Sequence, residues 1–266
     1  MLTLATKTDK YMHDFELLYT TTVHEGFEYL FRFDIKNFKK LLQSLDSSTY
    51  YYKSYILHSI SYGIQNLIRT GYITYGYAAY NSIFLYCKTK NIGKDPMKFA
   101  SMLATKMAVS FFSNESKEIV LIPTVVTLPS KDMLVKYLSW IQSQKYDMSM
   151  YKVCQDVLKK EGKSNSQIEK IMSNSSLDDR FNLLMHKGIL SIDIPQHIKN
   201  GSLTCYVANF KTVDNIKDGS QHTRLNKDIL SDYNLPCKTK FEHMIESLTE
   251  HGYIVKMLTK RGYVVK

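Results

Sequence analysis

Apolar residues recur in three- and four-residue steps through most of the first two-thirds of this chain, which predicts helices that each bury one face. Phe27, Leu30, Phe31, Ile35 and Phe38 form one such stripe, and Ile56, Ile60, Ile64, Leu67 and Ile68 form another. After Lys94-Asp95-Pro96 the spacing predicts a further helix carrying Met102, Leu103, Met107 and Phe111, broken at Ser113-Asn114. The pattern changes at "EIVLIPTVVTLP", Glu118 to Pro129, a short β-branched run between turn formers. That run predicts a strand, and Pro123 within it predicts a sheet edge or a bulge, because proline cannot donate to a ladder. Ser130 then reads as the N-cap of a helix with Asp132 in its first turn and Met133, Leu134, Tyr137, Leu138 and Ile141 inward. Trp140 sits beside that stripe and is expected in the core.

The most polar interruption is "EGKSNSQ", Glu161 to Gln167, and it marks the expected boundary between a mainly helical body, residues 1–165, and an α+β C-terminal part, residues 166–266. Beyond it, Ser176 and Asp179 stand at capping-box spacing, with the shorter Asp in the place of Glu, ahead of Phe181, Leu184 and Met185. Gly71, Gly188 and Gly252 share one punctuation: a helix ending in basic or His residues, a glycine suited to the left-handed position, then a β-prone run.

Composition narrows the class. With 266 residues and 44% apolar content the chain can bury a large core. No window reaches the roughly 18 consecutive apolar residues of a membrane span, and Met1 to Lys10 lacks the apolar centre of a signal peptide, so an intracellular protein is expected, in the host cytoplasm if the genome is viral. The abundance of Lys, Asn, Ile and Tyr suggests an AT-rich phage, plasmid or other mobile genome. Cys87, Cys154, Cys205 and Cys237 lie far apart without zinc spacing and are expected as reduced thiols. A formal charge of +10 suits a polyanionic partner. Ser47 to Lys94 holds no acidic residue, and Lys53, Arg69, Lys88 and Lys90 there are interleaved with tyrosines, a candidate secondary basic surface. The helical spacing of Tyr52, Tyr55 and Tyr62 assigns most of those rings to packing.

The final residues read "HTRLNKDILSDYNLPCKTKFEHMIESLTEHGYIVKMLTKRGYVVK". A short helix is expected from Asn226 to Tyr233, a turn at Asn234-Leu235-Pro236, and a second helix from Lys238 to Gly252 with Phe241, Met244, Ile245 and Leu248 inward. Two β-prone runs follow, Tyr253 to Leu258 and Tyr263 to Val265, joined by Thr259-Lys260-Arg261-Gly262. This order resembles the winged helix-turn-helix DNA-binding domain over residues 222–266. The resemblance implies that Lys238, Thr239, Lys240 and His243 face DNA and that Lys260 and Arg261 contact phosphates from the wing. Glu242, Glu246 and Glu250 on the same helix depart from a basic reading face.

Enzyme motifs are absent from the sequence: no phosphate-binding glycine loop, no Gly-x-Ser-x-Gly, no His-Glu-x-x-His. Asp178 and Asp179 fall in a first helical turn, where capping accounts for them. Asp193 in "SIDIP" is a lone candidate acid at an expected strand end. The expectation is therefore an α+β fold with a predominantly helical N-terminal body and a winged-helix-like end, without catalytic residues, metal or cofactor. Its function would be non-catalytic binding of nucleic acid, DNA before RNA, in replication or transcription of a mobile or viral genome. The alternatives are a structural or interaction subunit of a larger assembly, such as a virion component or polymerase accessory subunit with protein partners or a homo-oligomer, and a nucleic-acid-processing subunit if Asp193 met a second acid.

Overall fold

The computed structural model describes residues 7–17, 22–38, 41, 54–115, 119–214, 221–259 and 262–265. Eight helices are described: α1 (Lys7–Leu17), α2 (Ser54–Arg69), α3 (Pro96–Glu115), α4 (Lys131–Lys160), α5 (Asn165–Met172), α6 (Leu177–His186), α7 (Gln196–Asn200) and α8 (Thr239–His251). The described strands are β1 (Glu28–Ile35), β2 (Tyr75–Ala79), β3 (Ser82–Cys87), β4 (Leu121–Leu128), β5 (Ser202–Asp214), β6 (Gln221–Asp232), β7 (Tyr253–Thr259) and β8 (Gly262–Val265). They follow the order β4-β1-β3-β2-β5-β7-β8, with β6 pairing β5. All pairs are antiparallel except β5 with β7.

The sheet is covered on both faces, which is why its central strands read as continuous apolar runs rather than as alternation. One face packs Leu30, Tyr77, Phe84, Tyr86 and Val126 against α1, α4 and α8. The other packs Phe31, Phe33, Ile83, Leu85 and Val125 against α2 and α3. Each large side chain taken fully from water contributes about 1.5–3 kcal/mol, so these two layers supply most of the driving force. A third cluster joins the second half of α4 to α5, α6 and α7.

Several local expectations hold. The stripe Ile56 to Ile68 lies buried on α2. β4 is an edge strand, so Pro123 faces a partner, Phe33, on one side only. The Ser130 Oγ accepts from the Met133 N–H at 3.2 Å and caps α4. Ser176 and Asp179 form the reciprocal capping box of α6. Gly71, Gly188 and Gly252 all have positive φ, although the segment after Gly188 forms a short 3-10 turn, Ser191–Asp193, in place of the expected strand.

Three expectations are overturned. The Phe27-to-Phe38 segment is not a helix: residues 28–35 form β1, and strands β1 to β4 all precede residue 130, so there is no predominantly helical N-terminal body. Residues 226–232, expected as the first helix of a helix-turn-helix, are the second half of β6, hydrogen-bonded to β5 from Leu203↔Asp232 onward. The winged helix therefore fails at its first element. α8 and the β7–β8 hairpin form nearly where expected, but β7 runs parallel to β5 at Tyr206↔Tyr253, so its first half is built into the sheet.

Candidate functional site

Charged side chains converge where β1 ends. Arg32 and Asp34 stand two residues apart on one side of β1, as strand periodicity requires. Asp34 is the cross-strand partner of Ser82, the first residue of β3, just after the tight turn Tyr80-Asn81. Tyr80 adopts φ +52°, and its ring packs edge-on to Phe38 with centroids 5.6 Å apart. From the covering helices, α1 contributes Glu16, and α4 contributes Tyr137 and, two turns later on the same face, Lys145.

These groups form one continuous network. Arg32 donates from Nε to Asp34 Oδ1 at 3.2 Å, its Nη2 lies 2.9 Å from Asp34 Oδ2, and Nη1 donates to Glu16 Oε1 at 2.8 Å. Tyr137 donates its hydroxyl to the same Glu16 oxygen at 2.6 Å. Lys145 Nζ donates to Asn81 Oδ1 at 3.0 Å and to Ser82 Oγ at 2.6 Å, and the Ser82 hydroxyl donates to Asp34 Oδ1. The network joins β1, the β2–β3 hairpin and two helices through side chains alone.

Its electrostatics follow from burial and from two cations facing two carboxylates. Burial lowers the Lys145 pKa to about 8, and the nearby Arg32 charge acts in the same direction. Asp34 and Glu16 oppose that shift but touch the ammonium only through Ser82 or not at all. Arg32 is also penalised by burial, yet its two direct carboxylate partners outweigh the penalty and hold it charged. Tyr137 stays protonated well beyond its ordinary range through burial and the adjacent Glu16. The Asp34 side chain remains 26% exposed and that of Arg32 19%, so the cluster has an open side.

The residues expected at a DNA surface lie elsewhere. Lys238, Thr239, Lys240 and His243 are exposed on the first turns of α8, where His243 Nδ1 lies 3.1 Å from Glu246. Glu242 turns inward and accepts from Ser139 of α4 at 2.7 Å. Lys53, Lys260 and Arg261 lie outside the described residues. Arg69, Lys88 and Lys90 are exposed, but α2 and α8 cover opposite faces of the sheet, so Arg69 does not share the α8 face. Asp193 accepts from the Leu190 N–H at 2.8 Å within its own turn. Cys87, Cys154 and Cys205 are buried and Cys237 is exposed, and none of the four is in a disulfide. Among the described residues no three His, Cys, Asp or Glu side chains converge on a common point, and no helix is long and apolar enough to cross a membrane.

The residues that do converge, Glu16, Arg32, Asp34, Asn81, Ser82 and Lys145, escape a reading of the sequence. Their one local signal is "FRFDI": read as a strand, it places a cation and a carboxylate side by side. Read as part of a helical stripe, it separates them.

No protein-family model matches the sequence, and no curated protein does. Solved structures do match the fold. The tRNA(His) guanylyltransferase of Saccharomyces cerevisiae superposes with a TM-score of 0.58 at 14% identity, over 79% of this chain and 94% of that one. A bacterial tRNA(His) guanylyltransferase (Thg1)-like protein, solved with ATP and with GTP, superposes with TM-scores of 0.54 and 0.56 at 16% and 14% identity, over 91% of this chain and 98% of that one. The chain thus has the fold of these enzymes and not a winged helix. With the winged helix goes the reading of a non-catalytic DNA-binding protein of replication or transcription, and the fold shared with these enzymes also stands against the alternative of a structural subunit.

Proposed function

We propose that this chain is a nucleotidyltransferase-type enzyme that binds a nucleoside triphosphate at the Asp34 end of β1 and uses it on RNA. The observation that carries the reading is the convergence of Arg32, Asp34, the Asn81-Ser82 hairpin and Lys145 at one sheet end, within a fold shared with a protein solved with ATP and GTP. Phosphate recognition needs fixed N–H donors and positive charge, and a guanidinium supplies both in a planar fork. Arg32 is held in place by two carboxylates and is partly open to solvent. Lys145, behind the hairpin, orients Ser82 and Asn81. Asp34 accepts three hydrogen bonds in the network, leaving roughly one of its four lone-pair sites for a ligand hydroxyl.

Two-ion nucleotidyl transfer calls for carboxylates that hold metal ions against the attacking and leaving oxygens. The residues here do not fit such a pair. Among the described residues Asp34 is the acid hydrogen-bonded to the hairpin, Asp156 near Tyr80 is paired with Lys152, Glu16 is engaged by Arg32 and Tyr137, and the neighbouring positions are the neutral Asn81 and Ser82 with an ammonium bound to both. The proposal therefore rests on the cations that the chain itself carries.

Equilibrium binding of ATP and GTP, together with incorporation of labelled nucleotide into RNA, tests it. Arg32→Lys keeps the charge but loses the fork, and should weaken nucleotide binding about tenfold, the size of one charge-assisted hydrogen bond. Wild-type protein that binds neither nucleotide overturns the proposal. Binding without incorporation under any condition removes its enzymatic half.

A further inference from the structure

The opposite end of the sheet carries a second concentration of charge. β3 leaves the sheet at Cys87 and runs through Lys88, Lys90 and Lys94, all exposed, around a 3-10 turn into α3. Asn91 Nδ2 donates to Gly71 O at 3.2 Å, which ties this loop to the end of α2, where Arg69, two residues before Gly71, is exposed. Thr89 Oγ1 donates to Phe27 O at 3.0 Å, which ties it to the segment entering β1. Between the two segments is an open recess whose walls include Gly26, Thr89, Lys90, Gly93 and Lys94. Phe27, which follows Gly26 of the recess, is 39% exposed, with the His24 ring 6.4 Å from its own.

We infer that this end of the sheet is a binding surface for single-stranded RNA, with backbone phosphates on Lys90 and Lys94 in the recess, Arg69 and Lys88 extending the track, and a base stacked on Phe27. The inference rests on the RNA half of the proposed function and places that partner away from Asp34. Each cation is exposed, so each can exchange its counterion for a phosphate. An exposed aromatic ring beside the cations is the other half of a single-strand site, because every base offers a face for stacking. Three carboxylates lie nearby. Glu28 accepts from the Tyr86 hydroxyl at 2.7 Å, and Asp95 accepts from the Lys98 N–H at 2.9 Å, so both are engaged. Glu25 lines the recess and opposes the phosphates.

The test measures affinity for a single-stranded RNA against salt, with ATP affinity measured on the same proteins. Wild type should show a linear fall of log K with log salt. Lys90→Ala with Lys94→Ala should reduce the slope by about 1.4 and, at about 0.15 M salt, weaken binding roughly fifteenfold. Phe27→Ala should weaken RNA binding with the slope unchanged, and Glu25→Gln should strengthen it. Lys90→Arg with Lys94→Arg should retain the slope. ATP affinity should stay the same in all these variants, since the Asp34 cluster is untouched. An unchanged slope in the Ala double variant overturns the inference and leaves the proposed function standing. Wild-type protein that binds ATP but no RNA overturns the inference together with the RNA half of that proposal.

Discussion

Replacing Lys145 by Met keeps the length of the side chain while removing the one buried ammonium of the Asp34 cluster. Lys145 is 6% exposed, and its pKa falls from the ordinary 10.5 to about 8 in the folded protein. Because the folded value lies below the unfolded one, the folded state holds fewer protons between the two, and unfolding takes one up. Stability from this group therefore rises with pH, from about pH 8 until it is complete near pH 10.5. Across the whole interval the gain is about 3 kcal/mol, and between about pH 7.5 and about pH 9.5 it is about 2 kcal/mol. Tyr75, Tyr77, Tyr86 and Tyr137 act in the opposite direction above about pH 10, since burial keeps them protonated when the unfolded chain ionises. Their contribution is common to both proteins and cancels in the difference. Urea unfolding at a series of pH values reads that difference directly. The stability of wild type minus that of Lys145→Met should climb by about 2 kcal/mol over the interval. A flat or falling difference would refute the placement of a charged lysine behind the hairpin.

Two further changes probe the sheet on which the site is built. Gly76→Ala would set a Cβ 2.6 Å from Ile64 Cγ2 and 3.0 Å from Leu85 Cδ2, between β2 and α2, and should cost about 2 kcal/mol in urea unfolding. Tyr77→Phe removes a buried hydroxyl that donates to Asn200 O at 2.9 Å. It should cost about 1–2 kcal/mol, with no change in the pH dependence assigned to Lys145.

How much of this could be read from the sequence depends on whether the deciding contacts are local. Helix caps are local: Ser130 with Met133, and Ser176 with Asp179, lie within one turn and were legible. So was α8, whose stripe Phe241, Met244, Ile245 and Leu248 ends at a left-handed Gly252. β1 was not, because its first half, Tyr29 to Phe31, is buried on both faces, the alternation of Arg32 and Asp34 with Phe31, Phe33 and Ile35 is short, and Phe27, Leu30, Phe31, Ile35 and Phe38 satisfy helical spacing by coincidence. β6 was missed for the opposite reason. It is an edge strand with Lys227 and Asp228 in mid-run, and only its pairing with β5, a non-local contact, makes it a strand. The candidate site inherits the misreading of β1 and depends, as β6 does, on non-local contacts. Asp34, Ser82 and Lys145 are 48 and 63 residues apart along the chain and meet only once the sheet has formed and α4 covers it.

The most direct measurement of the central claim is a crystal structure of the protein with GTP. Phosphate oxygens should lie within hydrogen-bond distance of Arg32, with the nucleotide over Asp34 and the Asn81-Ser82 hairpin. A nucleotide bound elsewhere on the chain, with the Arg32, Asp34 and Lys145 network left without contact to it, would contradict the account.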